Sequence, residues 1–271
     1  ISQLRQQLVD VANSKDSEGA YLFSGFKEQT QPFTNDSSGV VNYSGDQGQR
    51  QLQTSPSRQV ASSDSGDDVF MLIRNGNGQF QTNLTTGNTG TGTINGGGVT
   101  DLAAFQNTFM NHQYTINFTV IPDPSDASKT ITTFDVQDET NTVINPPGVN
   151  QSYTAGQTIT FNGVQVAVDG APANGDSFVV KPAENQSLFK TLDNLISALG
   201  TADTQDDTRA VLYQSLDNAL NDIDQGLLHL NQVRGKIGSR VNALDAQDDA
   251  NQSFNVQLQT LSNNIGAVDY A

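Results

Sequence analysis

Apolar residues recur every three or four positions near both ends of the chain, which is the spacing of amphipathic helices. The first such stripe consists of Ile1, Leu4, Leu8 and Val11. A second stripe follows Asn185, where Asn and Ser are suitable N-cap residues, and it stops at Gly200, a residue type that often ends helices. The sequence therefore predicts a helix at the start of the chain and a return to helix after residue 185.

The longest helical pattern runs from about residue 204 to about residue 246, and from Leu216 onward it follows a seven-residue repeat. A helix of this length would be roughly 60 Å long at about 1.5 Å per residue. A heptad repeat requires a partner helix, and we expect that partner to be another segment of this chain. The predicted rod-packing residues are Leu216, Leu220, Ile223, Leu227, Leu230, Ile237, Val241 and Leu244.

The apolar stripe is interrupted after Leu244 by four polar residues, Asp245, Asp248, Asp249 and Asn251. It resumes at Phe254, Leu258, Leu261, Ile265 and Val268, which predicts a last, separate helix. Because the chain begins at Ile1 rather than Met and ends at Ala271 within an apolar repeat, we expect a fragment of a longer helical protein. A naturally processed terminus is the alternative.

The middle of the chain has the character of β-structure. The aromatic-rich stretch 20–26 and the following turn at Pro32 predict a β-hairpin near residues 20–33. The Gly- and Thr-rich tract 75–98 is of low complexity, and its glycines within 87–98 are expected in a loop. Strand-like runs separated by Pro and Gly turns follow at Tyr114–Ile121, Thr130–Val136, Thr158–Phe161, Val164–Val168 and Phe178–Val180. Two turns are expected to be structural, Ser24-Gly25 and Asn174-Gly175-Asp176, because Gly tolerates backbone angles that other residues avoid.

Together these patterns predict an α+β fold with two domains. Residues 1–74 and 184–271 would form a discontinuous, elongated helical-bundle rod that carries the β-hairpin, because the two apolar ends must meet to be buried. Residues 75–183 would form an inserted β-rich domain. Such a layout suits assembly better than the enclosure of a substrate, although a fold alone does not establish function.

Charge and composition narrow the possible partners and chemistry. The chain has 13 Lys and Arg against 29 Asp and Glu, a net charge of −16, which disfavours nucleic acid and anionic membranes as partners. It contains no cysteine, which excludes disulfides, thiolate metal sites and cysteine nucleophiles.

No catalytic, cofactor-binding or metal-binding residues are predicted, and we expect a protein that is not an enzyme. The two histidines, His112 and His229, have no neighbouring ligand at metal spacing. The acidic group of Asp245, Asp248 and Asp249 is typical of a solvated helix face, and the glycines of 87–98 lack the strand, turn and helix context of a phosphate loop.

Several motifs resemble the flagellin-related hook-associated proteins of the hook–filament junction. In the first part of the chain they are Lys15-Asp16, Glu18 through Phe26, Pro32-Phe33, Tyr43, Gly45-Asp46, Arg50 and Asp67 through Phe70. In the middle they are Gly156, Ile159, Phe161 through Val164, Val168, Gly170, Pro172 and Asn174 through Phe178. Near the end Arg234, Gly238, Arg240, Asn242 and Leu244 resemble the late helix shared with flagellins. A filament flagellin would be expected to differ around Tyr21 to Gly25.

The resemblance implies a structural adapter between hook and filament. Its expected partners are further copies of itself, a hook-side hook-associated protein, flagellin or other filament-side subunits, and an export chaperone. It also implies export through the flagellar secretion apparatus to an extracellular position on the bacterial flagellum, no cofactor, and a core fragment without the terminal polymerisation segments. Two other functions stay open on the residues alone: a secreted binding module or adhesin that uses the β-rich insert, and an extracellular hydrolase that uses paired acids.

Overall fold

The computed structural model describes residues 1–55, 58–200 and 206–268, with side chains of the last helix described from 209 to 265. The fold is α+β. Within those residues the α-helices, α1 to α4, are Ser2–Ala12, Leu102–Asn107, Leu188–Gly200 and Asp206–Val268. The strands, β1 to β15, are Phe33–Asn35, Val41–Tyr43, Gln51–Ser55, Arg58–Ala61, Ile73–Arg74, Phe80–Leu84, Thr93–Ile94, Gly98–Val99, Tyr114–Asp123, Asp126–Asp138, Gln151–Ser152, Thr158–Phe161, Val164–Asp169, Ser177–Pro182 and Asn185–Gln186.

The chain divides into two compact units. The first unit comprises Ile1–Asp10, Ser37–Val41 and Phe70–Leu227, and the second comprises Val11–Asp36, Asn42–Val69 and Leu228–Ala271. Helix α4 thus contributes residues to both. The predicted division into residues 1–74 with 184–271 and residues 75–183 stays a prediction.

The first unit is built around a five-stranded antiparallel sheet in the order β11-β10-β9-β14-β6. Along β9, Tyr114, Ile116 and Phe118 are buried while the residues between them are partly exposed, because successive side chains of a strand point to opposite faces. The buried face meets a smaller sheet in which β13 pairs with β12, β7 and β8. Together the two sheets form one aromatic-rich core.

The five strand-like runs predicted from the sequence are confirmed as β9, β10, β12, β13 and β14. The low-complexity tract 75–98 contains strand β6, which pairs with β14, and the loop expected at the glycines of 87–98 is interrupted by β7. Phe80 is fully buried at the start of β6. Burial alternates along this strand, with Phe80 and Thr82 buried. The alternation is not visible as an apolar pattern in the sequence, because Gln81, Thr82 and Asn83 are all polar.

The predicted helices near residues 1–11 and 188–200 are confirmed as α1 and α3. The prediction of a separate last helix is wrong, since α4 continues without a break through Asp245 to Asn251. Those polar residues are largely exposed, so they interrupt the apolar stripe without removing any backbone hydrogen bond.

The predicted hairpin near residues 20–33 is wrong in position. Residues 21–32 form successive turns with a single bridge from Tyr21 to Lys15, and the hairpin lies further on, where β1 pairs with β2. The Ser and Gly residues within the aromatic stretch turn the backbone too often for a strand to extend.

A buried carboxyl, Asp222, joins helix α4 to two other segments of the first unit. The backbone N–H of Gly76 donates to its Oδ1 at 2.7 Å, and Nε2 of Gln186 donates to its Oδ2 at 2.7 Å. Burial raises the pKa of Asp222, and these two hydrogen bonds offset only part of that rise.

We expect the melting temperature of Asp222→Asn, taken relative to the unchanged protein, to be higher at pH 7 than at pH 4, although the amide NH2 of Asn loses one of the two hydrogen bonds at every pH. Because the folded pKa lies above the ordinary value of 3.8, the contribution of Asp222 to stability is fully present below that value. It is lost as the pH rises through the folded pKa, where the buried group must ionise. Thermal unfolding of the variant and of Asp224→Asn, an exposed neighbour on the same helix, across this pH range checks the sign. Parallel pH profiles for both variants would contradict it.

Candidate interaction surface

One face of helix α4 in the second unit is held by a paired charge. Arg240 donates from Nη1 and Nη2 to the two carboxylate oxygens of Asp64, each at 2.7 Å. The Asp64 side chain is only 9% exposed, and its proximity raises the pKa of Arg240. A bidentate pair of this kind fixes both the position and the rotation of the helix against the 64–69 segment.

Three further residues complete this packed face. His229 Nε2 donates to the backbone carbonyl of Asp68 at 2.6 Å, Lys236 Nζ lies 3.6 Å from the Asp68 carboxylate, and Val233 is buried. Positions 229, 233, 236 and 240 are separated by four, three and four residues, so they share one helix face. This face of the second unit is therefore occupied by the chain itself.

Large apolar side chains on the rest of the second unit's helix stay in solvent. Ile237 and Val241 are 45% and 49% exposed. Further along, Phe254, Leu258, Leu261 and Ile265 recur at steps of four, three and four and are all exposed. Within the part of the chain that the structure describes, no segment covers this apolar stripe, and an exposed apolar stripe of this kind is a feature of interaction surfaces.

In the first unit, helix α4 buries several small residues, while several of its large apolar residues are exposed. Ala210, Ala219 and Gly226 are buried, and a Cβ at Gly226 would overlap the side chain of Leu188. Small side chains let a helix approach its neighbours closely, which leaves the adjacent leucines outside. The small residues of α4 are the sequence signal for this buried face, whereas the spacing of its large apolar residues does not reveal it.

The eight predicted rod-packing residues fall into two groups. Four are partly buried, and four are exposed despite their apolar character. The partly buried ones are Leu216, Ile223, Leu230 and Leu244, and the exposed ones are Leu220, Leu227, Ile237 and Val241. The described residues do not supply the expected partner for the exposed four from within this chain, and the packing role of all eight stays a prediction.

The predicted structural turns have the following geometry. Gly25 has φ of +72°, and a Cβ there would overlap the carboxylate and carbonyl oxygens of Asp46. Asp46 Oδ1 accepts hydrogen bonds from the N–H groups of Phe26 at 2.9 Å and Gly48 at 2.8 Å, which lower its pKa. Tyr43 Oη donates at 2.7 Å to the carbonyl of Asp46. These contacts close the turn-rich segment of the second unit.

The second predicted turn lies in the first unit. Gly175 has φ of +90° with open space where a Cβ would be, and Asp176 is buried. The Asp176 carboxylate accepts from the backbone N–H groups of Thr89, Gly90 and Ala173 at 2.8, 3.0 and 2.8 Å. The acid therefore organises a turn and the loop beside it.

The described ranges contain no group of three or more His, Cys, Asp or Glu side chains placed to hold a metal ion. His112 lies 2.7 Å from Glu139 through Nδ1, and His229 belongs to the packed face already described. Among residues 1–55, 58–200 and 206–268, no helix is both long and apolar enough to cross a membrane.

Comparison with known proteins gives close similarity to one group. No protein-family model matches the chain. The crystal structure of flagellar hook-associated protein 3 from Legionella pneumophila is 35% identical, with a TM-score of 0.86 over 97% of this chain and 78% of that one. The structure of the flagellar junction protein FlgL from Legionella pneumophila is 34% identical, with a TM-score of 0.83 over 93% of this chain and 75% of that one.

A curated relative agrees with these structures over a shorter stretch. Flagellar hook-associated protein 3 of Escherichia coli K12 is 34% identical over 73 residues, which are 27% of this chain and 22% of that protein. The match thus spans well under a third of the relative's length. The identity and coverage of the two solved structures, together with the motifs of the turn segment and the late helix, show that the chain belongs to the family of FlgL, flagellar hook-associated protein 3.

Proposed function

We propose that this chain is a structural subunit that joins the flagellar hook to the filament. The observation that carries the proposal is the exposed apolar stripe of helix α4 in the second unit. The solved relatives are described as a flagellar hook-associated protein and a flagellar junction protein, which supports the same role here. A structural rather than enzymatic role fits these descriptions, and the alternative of an adhesin is not favoured by them.

The stripe has the chemistry of a subunit contact. Complete burial of one Leu, Ile or Phe side chain contributes about 1.5–3 kcal/mol relative to full exposure. The four residues Phe254, Leu258, Leu261 and Ile265 are between 48% and 63% exposed, so a helix packed on them would gain a substantial part of that free energy. Heptad-like steps favour a helical partner.

The finer architecture and the partners are also proposals. The helical residues 1–74 and 184–271 would form a rod whose lateral and axial packing builds the junction, with 75–183 as a β-rich insert. The partners would be further copies of the chain, a hook-side hook-associated protein, and flagellin or other filament-side subunits. Export by the flagellar secretion apparatus, with a chaperone, would deliver the subunit to the outside of the cell.

We expect the double variant Ile237→Asp, Val241→Asp to lose filament attachment while keeping its fold. Both positions are exposed, so two carboxylates there cost little stability, about 0.5 kcal/mol each from helix propensity. In a contact between subunits the same carboxylates would be buried without partners. The test expresses the complete gene in a strain deleted for the junction protein, and scores motility, attached filaments by electron microscopy, and flagellin shed into the medium.

The matched control is Asn242→Asp, which adds a carboxylate to an exposed position of the same helix without removing apolar surface. It should restore attachment as well as the unchanged gene does. Full attachment with the double variant would rule out this face as a subunit contact. Failure of the unchanged gene to restore attachment would count against the junction role itself.

A further inference from the structure

The first unit contains two adjoining cavities with polar linings that the junction role does not use. The larger has a volume of about 350 Å³ and lies among strand β6 and helices α3 and α4. The second, of about 340 Å³, lies beside β13. Gly96 and Asn221 border both cavities, so the two cavities adjoin, and together they are called the groove below. Each volume falls at the lower end of the range for small-molecule sites.

Amide side chains are the largest group in the lining of the larger cavity, and two of them, Asn218 and Asn83, belong to a hydrogen-bonded chain that continues to Gln214, a buried residue outside the lining. Gln214 exchanges two hydrogen bonds with the backbone of Ile94, at 2.7 and 2.9 Å. Gln214 Nε2 also donates to Asn218, and Asn218 donates to Asn83 at 3.0 Å. Because these amides hold one another, the wall is organised before any ligand arrives.

Other polar groups of the lining are left with capacity for a ligand. The side chains of Asn194 and Asn221 make no hydrogen bond with the residues that the structure describes, and Nε2 of Gln81 is a buried donor without an acceptor there. A primary amide offers two donor hydrogens and one acceptor oxygen. These three residues therefore present both kinds of group to a molecule in the groove.

The charge of the lining disfavours anions. Asp222 is the charged residue that lines the larger cavity, and the smaller one is lined by uncharged residues. Both carboxylate oxygens of Asp222 already accept hydrogen bonds from Gly76 and Gln186. A neutral ligand rich in hydroxyl groups matches this lining, because each hydroxyl both donates and accepts.

We propose that this groove binds a neutral polyhydroxylated molecule, a sugar or polyol, with Asn221 between two adjoining subsites. The site lies among β6, α3 and α4 and does not depend on the junction role. Phe80, the aromatic residue of the lining, is fully buried and offers no face for stacking, so binding rests on hydrogen bonds and is weak, in the millimolar range. Two subsites favour disaccharides over monosaccharides.

The test is titration of the isotope-labelled chain with D-glucose, D-galactose, myo-inositol, maltose, cellobiose and lactose, followed by NMR chemical shifts. We expect saturable shifts at residues of the groove, with at least one disaccharide bound more tightly than its monosaccharide. The Asn194→Ala, Asn221→Ala double variant should bind about tenfold more weakly, since it removes hydrogen bonds to the ligand. It breaks no hydrogen bond within the described chain, so its fold should be unchanged.

Asn242→Ala, at an exposed position outside the groove, serves as the matched control and should bind as the unchanged chain does. Absence of saturable shifts with every probe would overturn the proposal and leave the groove as a hydrated cavity. Shifts that map elsewhere, or that persist undiminished in the double variant, would overturn it equally. None of these outcomes depends on filament attachment, so the junction role is tested separately.

Discussion

A Gly25→Val variant is expected to unfold roughly 6–12 °C below the unchanged protein, which corresponds to a loss of about 3 kcal/mol for a chain of this size. Gly25 has φ of +72°, where a β-branched residue is strained by about 1–2 kcal/mol. Its side chain would also displace the Asp46 carboxylate, which holds the N–H groups of Phe26 and Gly48. Overpacking of this kind costs a further 1–3 kcal/mol or so.

Differential scanning calorimetry measures the effect, and hydrogen exchange of peptides that cover residues 20–48 locates it in the second unit. Gly175→Val separates the two causes, because Gly175 has φ of +90° with open space around its Cα. That variant should lose only the conformational part, about 1–2 kcal/mol, in the first unit. Equal losses of stability in Gly25→Val and Gly175→Val would show that the overlap with Asp46 is relieved at no cost. An unchanged melting temperature of Gly25→Val would contradict the prediction.

An Arg240→Ala variant is expected to lose about 2–3 kcal/mol of stability in the second unit. The change removes both Arg240 hydrogen bonds from the Asp64 carboxylate, whose side chain is 9% exposed, and leaves it the one from Nε2 of Gln49 at 3.0 Å. Removal of one partner of a fully buried pair costs about 3–5 kcal/mol, and the partial exposure of Arg240 reduces that penalty. Arg240→Lys should recover only part of the loss, since an ammonium cannot form the bidentate pair.

Denaturant unfolding of the variants, combined with hydrogen exchange across residues 228–244, measures the loss. Arg234→Ala is the matched control, because Arg234 is exposed on the same helix and forms no ion pair with the described residues. It should change stability by less than about 0.5 kcal/mol. In a double-mutant cycle, Arg240→Ala should cost much less when Asp64 is already Asn. Equal costs in both backgrounds would show that the pair does not anchor the helix.

The sequence by itself determined most of the local structure and the family. The strands β9, β10, β12, β13 and β14 follow alternating apolar runs between turn residues, a signal that needs no tertiary contact. Helices α1 and α3 likewise follow from a local signal, the three- and four-residue spacing of their apolar residues. The family motifs around Tyr21 to Gly25 and around Arg240 lie at a turn with a positive-φ glycine and at a bidentate ion pair.

Only the tertiary structure decided which face of helix α4 is buried. Periodicity reveals that apolar residues share a face, but the close packing of Ala219 and Gly226 places Leu220 and Leu227 outside. The pairing of Arg240 with Asp64 likewise could not be predicted from sequence patterns, because the two residues are 176 positions apart in the chain. Strand β6 forms because β14 supplies its hydrogen-bond partners across about a hundred residues, whereas its own polar composition favours a loop. Contacts distant in the sequence override local preference wherever the free energy of burial exceeds the small differences in propensity.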